Sequence, residues 1–375
     1  MTKCLKRRAE STRNQPQYGS FDIETVGLAG AILGVGWQVE GEAEPTIDPS
    51  PEEFCRAVYS DRYRGVVWYG HNAGNFDLQH LRPYLKAESI RRYGRFGAKY
   101  LTRGQSRIIG MTITRPNIQD IEFRDSYALL PTNLSDLGKA FSTVQKLKGT
   151  IDFEAGEIFE YSNPLHLDYL RNDVTTLLEG MLNIRAMIAR DFGAKLRITT
   201  ASTAMAVFKG HIPEGIRLYQ LDDEVEEYAR KAYAGGLVFL RDTKPWQDVV
   251  TLDVNSLYPF VMWENQFPVG SVHRSTNYQP LKLGIWNCRV RCLDDNRIPI
   301  IHRRDRGWNS WPVGEFTTYL TGVEIEYAKT QGYDIEVMGG IYWTDRAPLF
   351  TEFVRTLETL KTKNPGTAKA ILAKL

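Results

Sequence analysis

Asp22 and Glu24, in the segment FDIET, stand two residues apart. In an extended strand that spacing sends both carboxylates out of one face, near enough to share a divalent cation. The pattern alone says little: Asp-x-Glu recurs at Asp120/Glu122, Asp152/Glu154, Asp222/Glu224 and Asp334/Glu336, where a solvated strand face explains it. What singles out the first pair is its apolar surroundings and two later partners. Asp77 closes GHNAGNFD, a polar run crowded with His71, Asn72 and Phe76 directly after an apolar segment; strand ends and loops are where reactive groups gather. Tyr169 and Asp173, in DYLRND, are four residues apart and so lie one turn apart on one helix face. Four carboxylates and a phenol suit phosphodiester hydrolysis by two metals, one activating a water and the other stabilising the leaving oxygen, with Tyr169 orienting the water. Taken singly, each piece also reads as ordinary protein surface; a Tyr-x-x-x-Asp on a helix is commonly a packed ring beside a solvated acid.

These groups need a mixed α/β unit to position them. The apolar run Ala29–Val39, preceded by YGSFDIETVGL, predicts a hairpin of two buried strands around Gly27 and Gly30. GVVWYGHN (Gly65–Asn72) predicts a further short strand, and Met111–Leu130 two more, broken at the turn composition Arg115–Pro116–Asn117. From His166 to Arg190, Leu167, Leu170, Val174, Leu177, Leu178, Met181, Ile184 and Ile188 recur at three- and four-residue steps, which is an amphipathic helix. A first domain over residues 18–192 results, preceded by a basic tail, residues 1–17, expected to be mobile. A second unit begins with residues 193–264, whose clearest element is Asp248–Met262, a nearly continuous apolar run expected as a strand buried on both faces. Residues 265–350, punctuated by Pro and Trp, suggest a loop-rich strand subdomain, and a helix is expected to resume in 351–375.

A chain of 375 residues has room for two or three domains, and 42% hydrophobic with 25% charged residues excludes a disordered chain. A net charge of +2 excludes a uniformly basic nucleic-acid coat but leaves local patches. Four cysteines are too few and scattered for a disulfide framework, so a reducing, intracellular compartment is expected. Cys288 and Cys292 lack a second pair or nearby His, so no zinc set is expected. No apolar run approaches a membrane span and the first residues lack a signal-peptide core, so no membrane partner is expected.

FDIET, HNAGNFD and YLRND resemble the three exonuclease motifs of family B DNA polymerases, carried on a ribonuclease H-like proofreading domain. The resemblance implies that Asp22, Glu24, Asp77 and Asp173 bind two Mg2+ (or Mn2+) ions and that Tyr169 assists the attacking water. TLDVNSLYP (Thr251–Pro259) resembles polymerase motif A, which implies Asp253 as a metal ligand and Ser256, Leu257 and Tyr258 as the seat of the incoming deoxynucleoside triphosphate, with Tyr258 against a ribose 2′-hydroxyl. YAGG resembles the Tyr-x-Gly-Gly motif, with Tyr233, Gly235 and Gly236 close to the DNA backbone. Further matches are similar to the protein-primed branch: Thr25, His71, Asn72 and Phe76 as holders of a frayed primer end, Ser126 in DSYALLP as a single-strand contact, and Lys148 in LKGTIDF at the exonuclease site. Tyr127 stands where the family usually carries leucine. EFTTYLTGVEIEYAKTQGYDIEV resembles the insertion that grips a terminal priming protein and template; a subdomain without that role is the alternative. Ser89–Arg107 interleaves basic and aromatic residues, fitting phosphate contact with base stacking, or equally a solvated hairpin.

KTKNPGTAKAILAKL resembles the start of motif B, with Lys361 and Lys374 as phosphate contacts, but the remainder of motif B, motif C and the thumb have no counterpart in the sequence. The expected fold is therefore α/β: a ribonuclease H-like exonuclease domain followed by an incomplete α+β palm with an inserted subdomain. The expected function is that of a protein-primed DNA polymerase with 3′–5′ proofreading, exonuclease-competent but polymerase-incomplete, acting on DNA template and primer in the host cytoplasm for a viral or plasmid replicon. The chain would be a fragment, or one half of a split enzyme whose second chain carries the missing palm and thumb. A stand-alone 3′–5′ exonuclease and a non-catalytic DNA-binding remnant are the rival readings.

Overall fold

The computed structural model describes residues 4–6, 15–104, 107–147, 149–152, 156–238, 240, 243–245, 247–292, 298–305 and 308–363. They form two compact units, one built from residues 15–210 with 357–363, the other from residues 4–6 with 211–356. Cys4–Lys6 form a strand, β1, antiparallel to Arg217–Tyr219 in the second unit. The expectation of a mobile tail is corrected there: backbone pairing with a partner more than two hundred residues away leaves no local signal.

In the first unit, β2 (Tyr18–Thr25) and β3 (Ile32–Val39) make the expected hairpin. β4 (Thr46–Asp48), helix α1 (Pro51–Val58), β5 (Val67–Gly70) and α2 (Asp77–Tyr93) follow, then β6 (Gly97–Arg103), β7 (Arg107–Thr114) and β8 (Ile121–Asp125). Ser89–Tyr93 thus complete α2, and only the rest of the basic, aromatic stretch reaches the β6–β7 hairpin. Helices α3 (Leu134–Phe141), α4 (Pro164–Phe192) and α5 (Thr200–His211) complete the unit. The seven strands run in the order β4-β3-β2-β5-β8-β7-β6. β2, β5 and β8 are parallel, so their C-terminal ends open on one edge, where α/β sheets place their ligands.

Alternation along β2 divides its side chains. Phe21 and Ile23 enter the core with Phe54, Trp68 and Phe123, while Ser20, Asp22 and Glu24 share the other face. That face is covered by α4, which Ser20 anchors by donating its hydroxyl to the Val174 carbonyl at 2.8 Å. Helix and sheet approach closely because β3 carries glycine there: a Cβ on Gly36 would lie 2.9 Å from Val174 Cγ2 and 3.0 Å from Leu170 Cγ. The helix starts at Pro164 behind an Asn163 cap that accepts from the Leu165 amide, and stops at Gly193 with φ +59°.

In the second unit, β9 (Arg217–Tyr219), α6 (Asp223–Lys231) and α7 (Leu257–Glu264) lead into a four-stranded antiparallel sheet. Its strands are β10 (Phe267–Ser275), β11 (Leu283–Cys292), β14 (Gly314–Thr321) and β15 (Asp334–Ala347), ordered β10-β15-β11-β14, with a small β12 (Arg303–Asp305)–β13 (Trp308–Ser310) ribbon beside them in sequence. Trp286, Cys288, Val290 and Cys292 alternate inward from β11 against α8 (Gly322–Thr330), which opens with a Thr321/Glu324 capping box. Helix α9 (Thr351–Lys363) ends the described chain. The strand expected over Asp248–Met262 is absent among the described residues: 249–255 are irregular, with Val249 71%, Leu252 89% and Val254 64% exposed, and α7 follows with no buried residue. An apolar run becomes a buried strand only beside other strands, and among the described residues none pairs with it.

Candidate active site

Three elements deliver the carboxylates to the open edge of the first unit. Asp22 and Glu24 project from β2, Asp77 is the first residue of α2, and Asp173 with Tyr169 lies on α4. Asp77 and Asp173 are each only 3% exposed. Burial, followed by repulsion from Asp77, Glu24 and Asp173, lifts the Asp22 carboxyl well above the usual carboxylate range. Burial, and then Asp173, pushes Glu24 up to about 8. Burial raises Asp77 to about 7 and raises Asp173 too, against the pull of a lysine. The four acids therefore sense one another's charge across a poorly hydrated space.

That lysine is Lys146, whose Nζ donates to Asp173 Oδ2 and, at 3.1 Å, to the Tyr169 hydroxyl while sitting 4.9 Å from the centre of its ring. Burial would lower its pKa, but Asp173 and Tyr169 outweigh it and keep the ammonium charged. Burial and the Asp173 charge push the Tyr169 phenol up to about 12, so it remains a hydrogen-bond donor at neutral pH. The sequence expectation singled out Lys148, which lies outside the described residues. Lys146, two residues earlier in the same non-periodic segment, carried no distinguishing signal.

Asp77 Oδ1 and Asp173 Oδ1 are buried without a hydrogen-bond partner. Such oxygens are costly unless something positive reaches them. Among the described residues no three His, Cys, Asp or Glu side chains are gathered closely enough to hold an ion together, and Lys146 engages Asp173 instead. An all-oxygen set with two orphaned buried atoms nevertheless has the donor chemistry of a hard divalent cation.

Around this cluster stand the other residues singled out in the first unit. Thr25 ends β2 and donates to the Gly27 carbonyl at 2.5 Å. His71, Asn72 and Phe76 occupy the turn between β5 and α2, and Ser126 the helical turn after β8; His71 Nδ1 and Ser126 Oγ are 3.0 Å apart. Burial, then the charge of Lys146, lowers His71 to about 4, leaving it neutral near pH 7. Phe76 lies with its ring 4.7 Å from that of His80. Gly74 makes the turn possible: a Cβ there would collide with the Ile108 carbonyl oxygen.

The residues expected to serve polymerisation lie in the second unit and along α9. Asp253 is exposed in the irregular segment, Ser256 has φ +52° at the start of α7, and Leu257 and Tyr258 are exposed, Tyr258 by 81%. Tyr233, Gly235 and Gly236 lie in an irregular run, with Tyr233 74% exposed. Lys361 pairs with Glu358 at 3.5 Å, and Lys374 lies outside the described residues.

A family model described as DNA polymerase type B, organellar and viral, matches residues 60–165 and 163–375. The chain belongs to that family. The DNA polymerase of Kluyveromyces lactis is 27% identical over 80% of this chain and 35% of its own length, and that of Bacillus phage phi29 is 27% identical over 67% of this chain and 46% of its own. The chain thus spans less than half the length of these curated relatives. The phi29 polymerase solved with primer-template DNA and incoming nucleotides superimposes with a TM-score of 0.75 at 21% identity, covering 96% of this chain and 66% of that one. The mixed α/β fold is therefore the expected one, shared with that structure over nearly the whole of this chain.

Proposed function

We propose that this chain carries the 3′–5′ exonuclease of a protein-primed DNA polymerase and, as it stands, removes nucleotides from single-stranded 3′ ends without extending a primer. The observation that carries this reading is the set of four mutually repelling carboxylates with two orphaned buried oxygens. Family B polymerases work with divalent metals, and here Asp22, Glu24, Asp77 and Asp173 would hold two Mg2+ or Mn2+ ions. Bound ions would supply a water acidic enough to lose its proton near neutral pH and a counter-charge for the leaving 3′ oxygen. The Tyr169 hydroxyl, a donor held in place by Lys146, orients that water. Thr25, His71, Asn72, Phe76 and Ser126 line the strand ends beside it, where they would hold the frayed end; Lys148 is assigned to the same site on its motif alone.

On the polymerase side, Asp253 would be a metal ligand, Ser256, Leu257 and Tyr258 the seat of the triphosphate, Tyr233, Gly235 and Gly236 a DNA contact, and Lys361 and Lys374 phosphate contacts. Two-metal transfer needs carboxylates on both sides of the metals, and Asp253 would meet its counterpart only in a polypeptide that completes the palm. DNA template and primer, deoxynucleoside triphosphates and a terminal priming protein are the partners of that whole enzyme. We divide the chain accordingly into exonuclease (18–192), palm (193–264), insertion (265–350) and the start of the fingers (351–375). No helix among the described residues is long and apolar enough to cross a membrane, and the phage and yeast relatives suit a viral or plasmid replicon in a host cytoplasm. The test is digestion of a 3′-labelled oligonucleotide with Mg2+ or Mn2+: wild type should shorten it and the Asp22→Ala/Glu24→Ala protein should not. Equal digestion by both would overturn the metal assignment.

A further inference from the structure

Arg107 opens β7 beside this site and joins three of its walls. Its Nη2 donates to Asp125 Oδ2 at 3.0 Å and to Asn72 Oδ1 at 3.3 Å, and its guanidinium lies 4.5 Å from the centre of the Tyr127 ring. Each partner is itself tied to the site. Asp125, fully buried, accepts from the Tyr127 amide at 3.0 Å and repels Asp77. Asn72 takes the left-handed conformation, φ +58°, which asparagine adopts more readily than most residues, and also accepts from Asn75 at 3.0 Å. Tyr127 lies with its ring 6.1 Å from His71. The Arg107 side chain is 22% exposed.

We propose that Arg107 is a substrate-positioning residue that braces the Tyr127 ring and Asn72 so that a single-stranded DNA 3′ end finds an aromatic face and a fixed positive charge beside the carboxylate cluster. Tyr127 offers a ring on which a base can stack, and stacking tolerates any base. A lone half-buried ring would be free to turn; a guanidinium on one face fixes it, and Nη2 of the same group reaches both Asp125 and Asn72. The simpler account is that Arg107 only neutralises Asp125. That account requires a charge near Asp125 but neither the bond to Asn72 nor the stack on Tyr127.

The inference rests on the exonuclease reading, and the experiment separates the two. Affinity for a fluorescent single-stranded oligonucleotide is measured by anisotropy in the Asp22→Ala/Glu24→Ala background, where cleavage does not interfere, and KM and kcat are measured in the otherwise wild-type chain. Arg107→Lys, and Arg107→Leu combined with Asp125→Asn, keep Asp125 from being an unpaired buried charge, and melting temperatures verify that both fold. Both should weaken binding and raise KM about tenfold, with kcat within about twofold, as expected for lost binding that does not strengthen in the transition state. Tyr127→Leu should weaken binding similarly, and adding Arg107→Lys to it should cost no more, because the two act as one unit. Unchanged affinity in stable Arg107 variants, or losses that only track melting temperature, would overturn the proposal. A wild-type chain that binds strongly in an Arg107-dependent way yet never cleaves would overturn the exonuclease reading instead.

Discussion

Removing two charges from the acidic cluster, with Asp22→Asn and Glu24→Gln, should stabilise the metal-free protein at alkaline pH and abolish its response to divalent cations. Burial and neighbouring acids carry Glu24 from its ordinary 4.5 to about 8, and burial carries Asp77 from 3.8 to about 7. A carboxyl that holds its proton more tightly when folded favours folding fully only below its unfolded pKa. That advantage drains away as pH rises through the folded value, because the unfolded state has already released the proton. At about 1.4 kcal/mol per pKa unit, Glu24 alone takes about 4 kcal/mol from folding between about pH 4 and pH 8. Solvent at the half-buried Glu24 screens part of this, so the metal-free wild type should melt on the order of 5–10 °C lower at about pH 8 than at about pH 5. The double variant should lose much of that slope. Mn2+ at about a hundred times its dissociation constant should return about 3 kcal/mol to wild type at alkaline pH and nothing to the variant. Thermal melts in chelator and then in Mn2+ provide the measurement; parallel pH slopes, or equal stabilisation of both proteins by the metal, would refute the reasoning.

Tyr169→Phe keeps the ring against Lys146 but removes the hydroxyl, so exonuclease kcat should fall about 10- to 100-fold while affinity for single-stranded DNA stays level; equal losses in both would mean packing. In primer extension with all four deoxynucleotides, the Asp22→Ala protein should add none, and additions that disappear with Asp253→Ala would contradict an incomplete polymerase site. Gly36→Val would drive side-chain atoms into Leu170 and Val174 of α4, costing about 1–3 kcal/mol. Its digestion should fall further than that of a remote core variant matched in melting temperature, because α4 also carries Tyr169 and Asp173.

Where the sequence was legible, the partners of a segment were close at hand. The β2–β3 hairpin and α4 follow from local alternation and three- and four-residue periodicity, and the parallel strands end where polar runs begin. Long-range choices were not legible. Lys146 and Lys148 sit two apart in a stretch without periodicity, so nothing local says which one enters the cluster. Arg107 read as one more cation in a basic run, because its contacts with Asn72, Asp125 and Tyr127 depend on how β7 lies against β8 and the β5–α2 turn. Cys4–Lys6 became a strand only through pairing with Arg217–Tyr219.

The two acidic motifs share a sequence logic, an apolar strand ending in a carboxylate, and differ in their neighbours. β2, which carries FDIET, pairs with β3 along most of its length and with β5 over Tyr18–Ser20, both partners lying within about fifty residues, and Ser20 ties the strand to α4. TLDVNSLYP has equal apolar character, yet among the described residues no strand pairs with 249–255, and Val249, Leu252, Val254 and Phe260 remain exposed. A cluster of exposed large apolar residues in one stretch of chain suits an interaction face. Under the function proposed above, that face meets the remainder of the palm, continuous with this chain or carried by a second polypeptide. Burying the segment around Asp253 and completing its carboxylate set are then one event: the same strands that would bury Val249, Leu252 and Val254 would bring the opposing acids.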